Sequence, residues 1–239
     1  MMKTISRKII ISVVLGLLFV PSFAEEPESG VSASVGGDIV SSYVWRGLYC
    51  GGTSFQPSLS VEWKGLSLSG WGSVGIDKTD TKEFDLTLGY AIGGFSISVT
   101  DYYFDYFGVA NPYGEYVKER TSHVFEGQIG YDFEFMSLNW YTNFAGADGV
   151  KNAEGDMAYS SYFSAAVPFE AGGVEWEAEL GIVPWKTDLY GADGFALTNL
   201  SLKAAKSLKI SDEFSLGVFS QAVLNPAADG GFLVMGLSF

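Results

Sequence analysis

The 239-residue chain carries 28 acids against 14 bases and a single histidine, with 47% hydrophobic and 15% aromatic residues and one cysteine. The acid excess repels phosphate and excludes a nucleic-acid partner. Lone Cys50 and lone His123 exclude an internal disulfide framework, cysteine-rich metal sites and most zinc or triad arrangements, and no metal or other cofactor is expected.

The first stretch, MMKTISRKIIISVVLGLLFVPSFAEEPESG, places Lys3, Arg7 and Lys8 ahead of an apolar run over 9–20 and small-residue punctuation at Ser22-Phe23-Ala24. That order predicts a signal peptide, 1–24, cleaved after Ala24 for export. The run is too short to span a bilayer comfortably. The remainder, 25–239, keeps 11 bases against all 28 acids, a net charge of −17. No linker divides it, and its length suits one domain.

Beyond residue 24 no apolar run reaches the length of a membrane helix, and the hydrophobic residues alternate instead. In FDLTLGYAI (84–92), Phe84, Leu86, Leu88, Tyr90 and Ile92 share one face, with Asp85, Thr87, Gly89 and Ala91 opposite. VEWEAELGI (174–182) sets Val174, Trp176, Ala178, Leu180 and Ile182 against Glu175, Glu177, Glu179 and Gly181. A period of two marks strands with one apolar face. In chain order the predicted strands are 31–46, 56–64, 66–77, 83–92, 95–105, 123–134, 136–145, 158–169, 174–185, 196–206, 213–224 and 231–239.

The connections alternate in length. Short turns near 64–65, 93–94, 134–135, 172–173 and 207–212 alternate with longer loops at 47–55, 78–82, 106–122, 146–157, 186–195 and 225–230. Loop 106–122 reads as a surface loop, with an inward constriction as the alternative. Twelve strands with short turns at one end and long loops at the other predict an all-β fold: a single antiparallel up-and-down barrel of the bacterial outer membrane, with both termini periplasmic. The chain ends in FLVMGLSF (232–239), where closing-strand alternation runs into Phe239. A terminal aromatic at the inner interface also fits the signal read by the barrel-assembly machinery. Two aromatic girdles are expected. Trp63, Tyr90, Phe95, Tyr131, Phe133, Phe169 and Phe239 fall at the periplasmic rim. Tyr43, Trp45, Phe84, Tyr103, Phe125, Phe144 and Tyr159 fall at the outer rim. A soluble β-sandwich leaves the loop alternation without a role.

VSASVGGDIVSSYVWRGLYCGG, with its core Ser42-Tyr43-Val44-Trp45-Arg46-Gly47, resembles the opening strand of the TorF-type porin family. That family's first strand carries a Ser-x-Tyr-x-aromatic-Arg-Gly signature. LSLSGWGSVGID (66–77) and FDLTLGYAIGGFSISV (84–99) are similar to its next hairpins, so the likeness covers roughly the first 110 residues. It implies an outer-membrane porin without naming the solute.

In a continuous first strand, Trp45 and Arg46 point to opposite faces. Arg46 then lines the barrel, neutralised by a carboxylate such as Asp38 or Asp85, or sits at a constriction. With the apolar face turned to lipid, the pore-lining candidates are Asp38, Arg46, Glu62, Asp85, Glu126, Asp132, Glu175, Glu177, Glu179 and Lys203, alongside Gln128, Asn139 and Asn143. Acids dominate, which favours cations. The function expected is passive diffusion of small solutes, cations preferred, with outer-membrane lipid and the barrel-assembly machinery as partners. One alternative is a structural or adhesive barrel acting through its loops. The other is a lipid-active enzyme, whose candidate base is His123, with Ser122 or Ser161 as nucleophile. No G-x-S-x-G elbow supports it, and 72–75 reads Gly-Ser-Val-Gly. The chain therefore reads as a non-enzyme.

Overall fold

The computed structural model describes residues 30–80, 82–105, 112–117, 120–147 and 156–239; the predicted leader lies outside them. Twelve antiparallel strands close into a barrel. They are β1 (Val31–Val40), β4 (Ser54–Trp63), β5 (Leu66–Gly75), β6 (Lys82–Ile92), β7 (Phe95–Asp105) and β8 (His123–Asp132), followed by β9 (Ser137–Gly146), β10 (Ser161–Ala171), β11 (Val174–Val183), β12 (Ala196–Lys209), β13 (Ser215–Asn225) and β14 (Gly230–Ser238). All twelve predicted strands are present, within a few residues of their expected bounds. The exception is the first, which stops at Val40. The chain then forms a separate hairpin of β2 (Tyr43–Trp45) and β3 (Leu48–Gly51).

The alternation sets the faces. On β6, Phe84, Leu86, Leu88, Tyr90 and Ile92 are 36–62% exposed, whereas Asp85 and Thr87 between them are 3% exposed. The apolar residues therefore point outward and the polar ones into the lumen, as the two-residue period requires. Two-residue turns at Lys64-Gly65 and Gly172-Gly173 have positive φ at both positions. This is the type I′ geometry whose twist matches the flanking strands.

Closure occurs between β1 and β14, with Asp38 opposite Ser238, Ile39 opposite Leu237 and Val40 opposite Gly236. Phe239 adds two backbone bonds at this seam: Gly37 N–H donates to its carbonyl at 2.9 Å, and its own N–H donates to Gly37 at 3.1 Å. Outside the barrel its ring lies parallel to Phe55, centroids 6.1 Å apart. Gly37 leaves room for this pair, since a Cβ there would lie 2.9 Å from the Phe55 ring. Deleting Phe239 opens part of the one seam joining first and last strands, and unpaired strand edges are costly. The expected result is a smaller fraction of heat-modifiable, compact protein on gels after refolding. An unchanged compact fraction would show that the seam closes without it.

Candidate functional site

The site begins where β1 ends. Ser41 continues the seam: its N–H donates to Met235 O at 2.8 Å and its hydroxyl accepts from Met235 N–H at 2.9 Å. The next residues turn into the lumen as the β2–β3 hairpin. Trp45 pairs with Leu48, and Arg46 (φ 51°) and Gly47 (φ 83°) form the two-residue turn between them. This is again the I′ arrangement, with glycine at its second position.

The tip leans against β13 and β12, two and three places from β1 in the barrel order. Asn225 at the end of β13 donates from Nδ2 to Gly47 O at 3.1 Å, and its Oδ1 accepts from Ala227 N–H and Ala228 N–H in a short 3-10 turn, Pro226–Ala228. Gly47 lies so close to β12 that a Cβ would stand 1.9 Å from Thr198 O. No side chain fits there.

Arg46 locks the tip. Its Nη1 donates to Glu126 Oε2 at 2.6 Å and Nη2 to Oε1 at 2.8 Å, a bidentate pair. Nη1 also donates to the Tyr190 hydroxyl at 2.8 Å, and Tyr102 OH donates to Glu126 Oε1 at 2.9 Å. The guanidinium carbon lies 4.0 Å from the Tyr141 ring centroid, 4.3 Å from Trp45 and 4.9 Å from Tyr162, within cation–π range. Both charged side chains are almost wholly buried.

A second loop meets the hairpin. Between β11 and β12, Thr187 and Ala192 exchange backbone hydrogen bonds of 2.8 and 3.0 Å. This tightens a turn that presents Tyr190, which stacks on Trp45 at 5.8 Å and on Tyr162 at 5.8 Å. Tyr141, Tyr162, Val183, Tyr190 and Ala192 form a buried cluster with Trp45, Leu48, Leu189 and Ala196 packed against it. It is a core built inside the barrel rather than between layers.

Beside this cluster lies a cavity of about 220 Å³, whose charged lining is Asp38, Asp85, Glu126, Glu177 and Glu179 with Arg46 and Lys203. Five acids face two bases. Glu126 is matched by Arg46. Glu179 accepts from Tyr162 OH at 2.9 Å and Asn199 Nδ2 at 2.7 Å. Glu177 stands opposite Lys203 in the β11–β12 register, and Lys203 Nζ lies 4.2 Å over the Phe219 ring. The repulsion expected along Glu175, Glu177 and Glu179 is thus offset at two of its three members. Of the other expected lining residues, Gln128, Asn139 and Asn143 are buried, Asp132 is half-buried with Oδ1 accepting from Glu134 N–H, and Glu62 and Glu175 are exposed near the short-turn end.

Several expectations are corrected here. Tyr43 and Trp45 do not join an outward girdle; both are on the inward hairpin, and Tyr43 packs on Trp71 at 5.5 Å. Trp45 and Arg46 do not part to opposite faces, because the strand has already ended and the tight turn brings both into one cluster. Arg46 takes Glu126 rather than Asp38 or Asp85. The obstruction is the segment between β1 and β4, whereas Tyr113 and Tyr116 of loop 106–122 pack on the barrel's outer face, on rings of β6, β7 and β8. That strap covers His123, whose Nδ1 is 2.7 Å from Asp101 Oδ1 and Nε2 is 2.7 Å from Tyr113 O. Backbone N–H of Val117 and the Arg120 side chain hold the strap's Glu115 carboxyl below the ordinary range. Both His123 nitrogens are therefore engaged, and Ser161 Oγ is occupied with Thr142 Oγ1 and Tyr159 O. Among the described residues no group of three His, Cys, Asp or Glu side chains could hold a metal.

No family model matches the chain, and no curated protein is similar to it. Among solved structures, a Salmonella typhi OmpF chain in complex with daunomycin is similar at 9% identity, covering 88% of this chain and 98% of that one with a TM-score of 0.39.

Proposed function

We propose that the protein is a bacterial outer-membrane channel for small solutes, caught with its lumen closed by the β2–β3 hairpin. The observation that carries this reading is a closed barrel, apolar outside and charged inside, crossed by a segment that one arginine latches to the far wall. An apolar exterior on a barrel with no open edge suits lipid, and a plug held by a few polar contacts suits a gate. The resemblance to TorF-type porins supports the reading at a specific place: Ser42, Tyr43, Trp45, Arg46 and Gly47 are the residues that enter and tip the plug. Export through the leader, periplasmic termini and use of Phe239 by the assembly machinery belong to the same proposal.

Cation preference follows from the excess of lining carboxylates, since fixed negative charge in a narrow low-dielectric lumen concentrates cations and excludes anions. The test is conductance of the refolded protein in a planar bilayer. Openings should be brief and rare in the unmodified protein, with a reversal potential on the cation side under a salt gradient. Changing Glu175, Glu177 and Glu179 together to Gln should move that potential toward zero, and higher salt should weaken the preference by screening. Anion selectivity would overturn the charge assignment. Silence from both the unmodified protein and an Arg46→Ala variant would overturn the channel and favour a structural or adhesive barrel.

A further inference from the structure

Among the five carboxylates of the cavity, Asp85 differs from the rest. Glu126 has Arg46, Glu179 has Tyr162 and Asn199, and Lys203 lies within electrostatic reach of both Asp38 and Glu177. Asp85 is 3% exposed, and its Oδ1 has no hydrogen-bond partner among the described residues. No base is paired with it there, and the charges acting on it are the like charges of Glu83, Glu126 and Asp101. A buried carboxylate oxygen without a partner costs free energy that a bound donor would recover.

Its surroundings specify the donor. In the sheet register Asp85 stands between Trp71 on β5 and Tyr102 on β7, and directly opposite inward side chains are neighbours. Tyr43 reaches in from the hairpin, its ring 5.5 Å from Trp71, and Trp45 lies edge-on to Tyr102 at 6.3 Å. All five residues line the same cavity. One unpartnered carboxylate beside several aromatic faces is a combination that recognises an organic ammonium ion: the acid supplies charge, and the rings supply quadrupole attraction and apolar contact for its carbon substituents. A cavity of about 220 Å³ is smaller than those that hold drug-sized molecules, which limits the ligand to a small amine.

We infer that the lumen contains a binding site for a small organic ammonium ion, with Asp85 as its counter-ion and Tyr43, Trp71 and Tyr102 as its aromatic walls. Tyr43 belongs to the plug, so occupancy adds a contact between plug and wall and favours the closed lumen. The site exists in the closed protein, and binding does not depend on conduction.

The experiment is calorimetric titration of the full-length protein in detergent with choline at constant ionic strength, in parallel with 3,3-dimethyl-1-butanol, the neutral molecule of the same shape. Choline should bind saturably and the alcohol at least tenfold more weakly. Asp85→Asn should weaken choline at least tenfold. Tyr43→Leu, which removes a ring and a hydrogen bond to Glu83 but leaves the strand ladder intact, should weaken it severalfold and keeps the test usable if the Asp85 variant does not refold. Equal binding of alcohol and choline, unchanged binding in either variant, or saturation by sodium chloride alone would overturn the inference. A channel that conducts normally yet fails to bind choline would sink this site and spare the proposed function.

Discussion

Arg46→Ala is expected to release the β2–β3 hairpin from the lumen and, if the barrel is the channel proposed, to replace rare openings with sustained ones. The substitution removes both hydrogen bonds to Glu126, the bond to Tyr190 and three cation–π contacts in one step. It also leaves Glu126 buried with, among the described residues, only Tyr102 as a donor. Breaking one side of a buried ion pair costs about 3–5 kcal/mol. At about 1.4 kcal/mol per tenfold, the closed-to-open ratio should fall by about two to three and a half orders of magnitude. The barrel ladder is untouched, so heat-modifiable mobility should persist while single-channel recordings show sustained openings. Cys50, the chain's one cysteine, is exposed on β3, so a spin label there reports the hairpin directly and should become more mobile. Glu126→Gln should act in the same direction with a smaller effect, and the two substitutions together should fall well short of additive, since they break the same pair. Conductance identical to that of the unmodified protein, with an unmoved label, would show that Arg46 does not hold the gate.

Gly47→Ala should unseat the hairpin by a different route, without altering any charge. A Cβ so close to a backbone carbonyl cannot be absorbed by a side-chain rotation, and although Thr198 itself falls at a bulge, its neighbours Leu197 and Asn199 are paired to β11. The residue's φ of 83° adds roughly 1–2 kcal/mol for any L side chain. The tip must therefore withdraw, costing the Asn225 bond and loosening the Arg46 pair beyond it. Openings comparable in lifetime to those of Arg46→Ala are expected, with the reversal potential unchanged because every lining charge remains. If Gly47→Ala stayed closed with its label immobile, the tip would have an alternative seat and the close approach to Thr198 would not define the closed state.

Sequence alone determined the barrel. Strand count, the alternation of short turns with long loops, and the orientation of faces such as Phe84 to Ile92 follow from a two-residue period, because a strand with one apolar face has one way to point it. The excess of lining acids was also legible, since Asp38, Asp85, Glu126, Glu177 and Glu179 occupy the polar phase of that period. Where the first strand stops was not legible. Tyr43 and Trp45 keep the alternation of Val31–Val40 in phase, so local pattern carries the strand on to Arg46. The break is decided by partners distant in sequence: Met235 holding Ser41, Asn225 receiving Gly47, and Glu126 with Tyr190 receiving Arg46. The one local trace is Arg46-Gly47 itself, a glycine at the second position of a two-residue turn, outweighed by the regular pattern before it. Only the closed barrel brings β8, β9, β10, β12 and the Tyr190 loop around one point, and only there does the tip of a hairpin bury more favourably than an extension of the first strand.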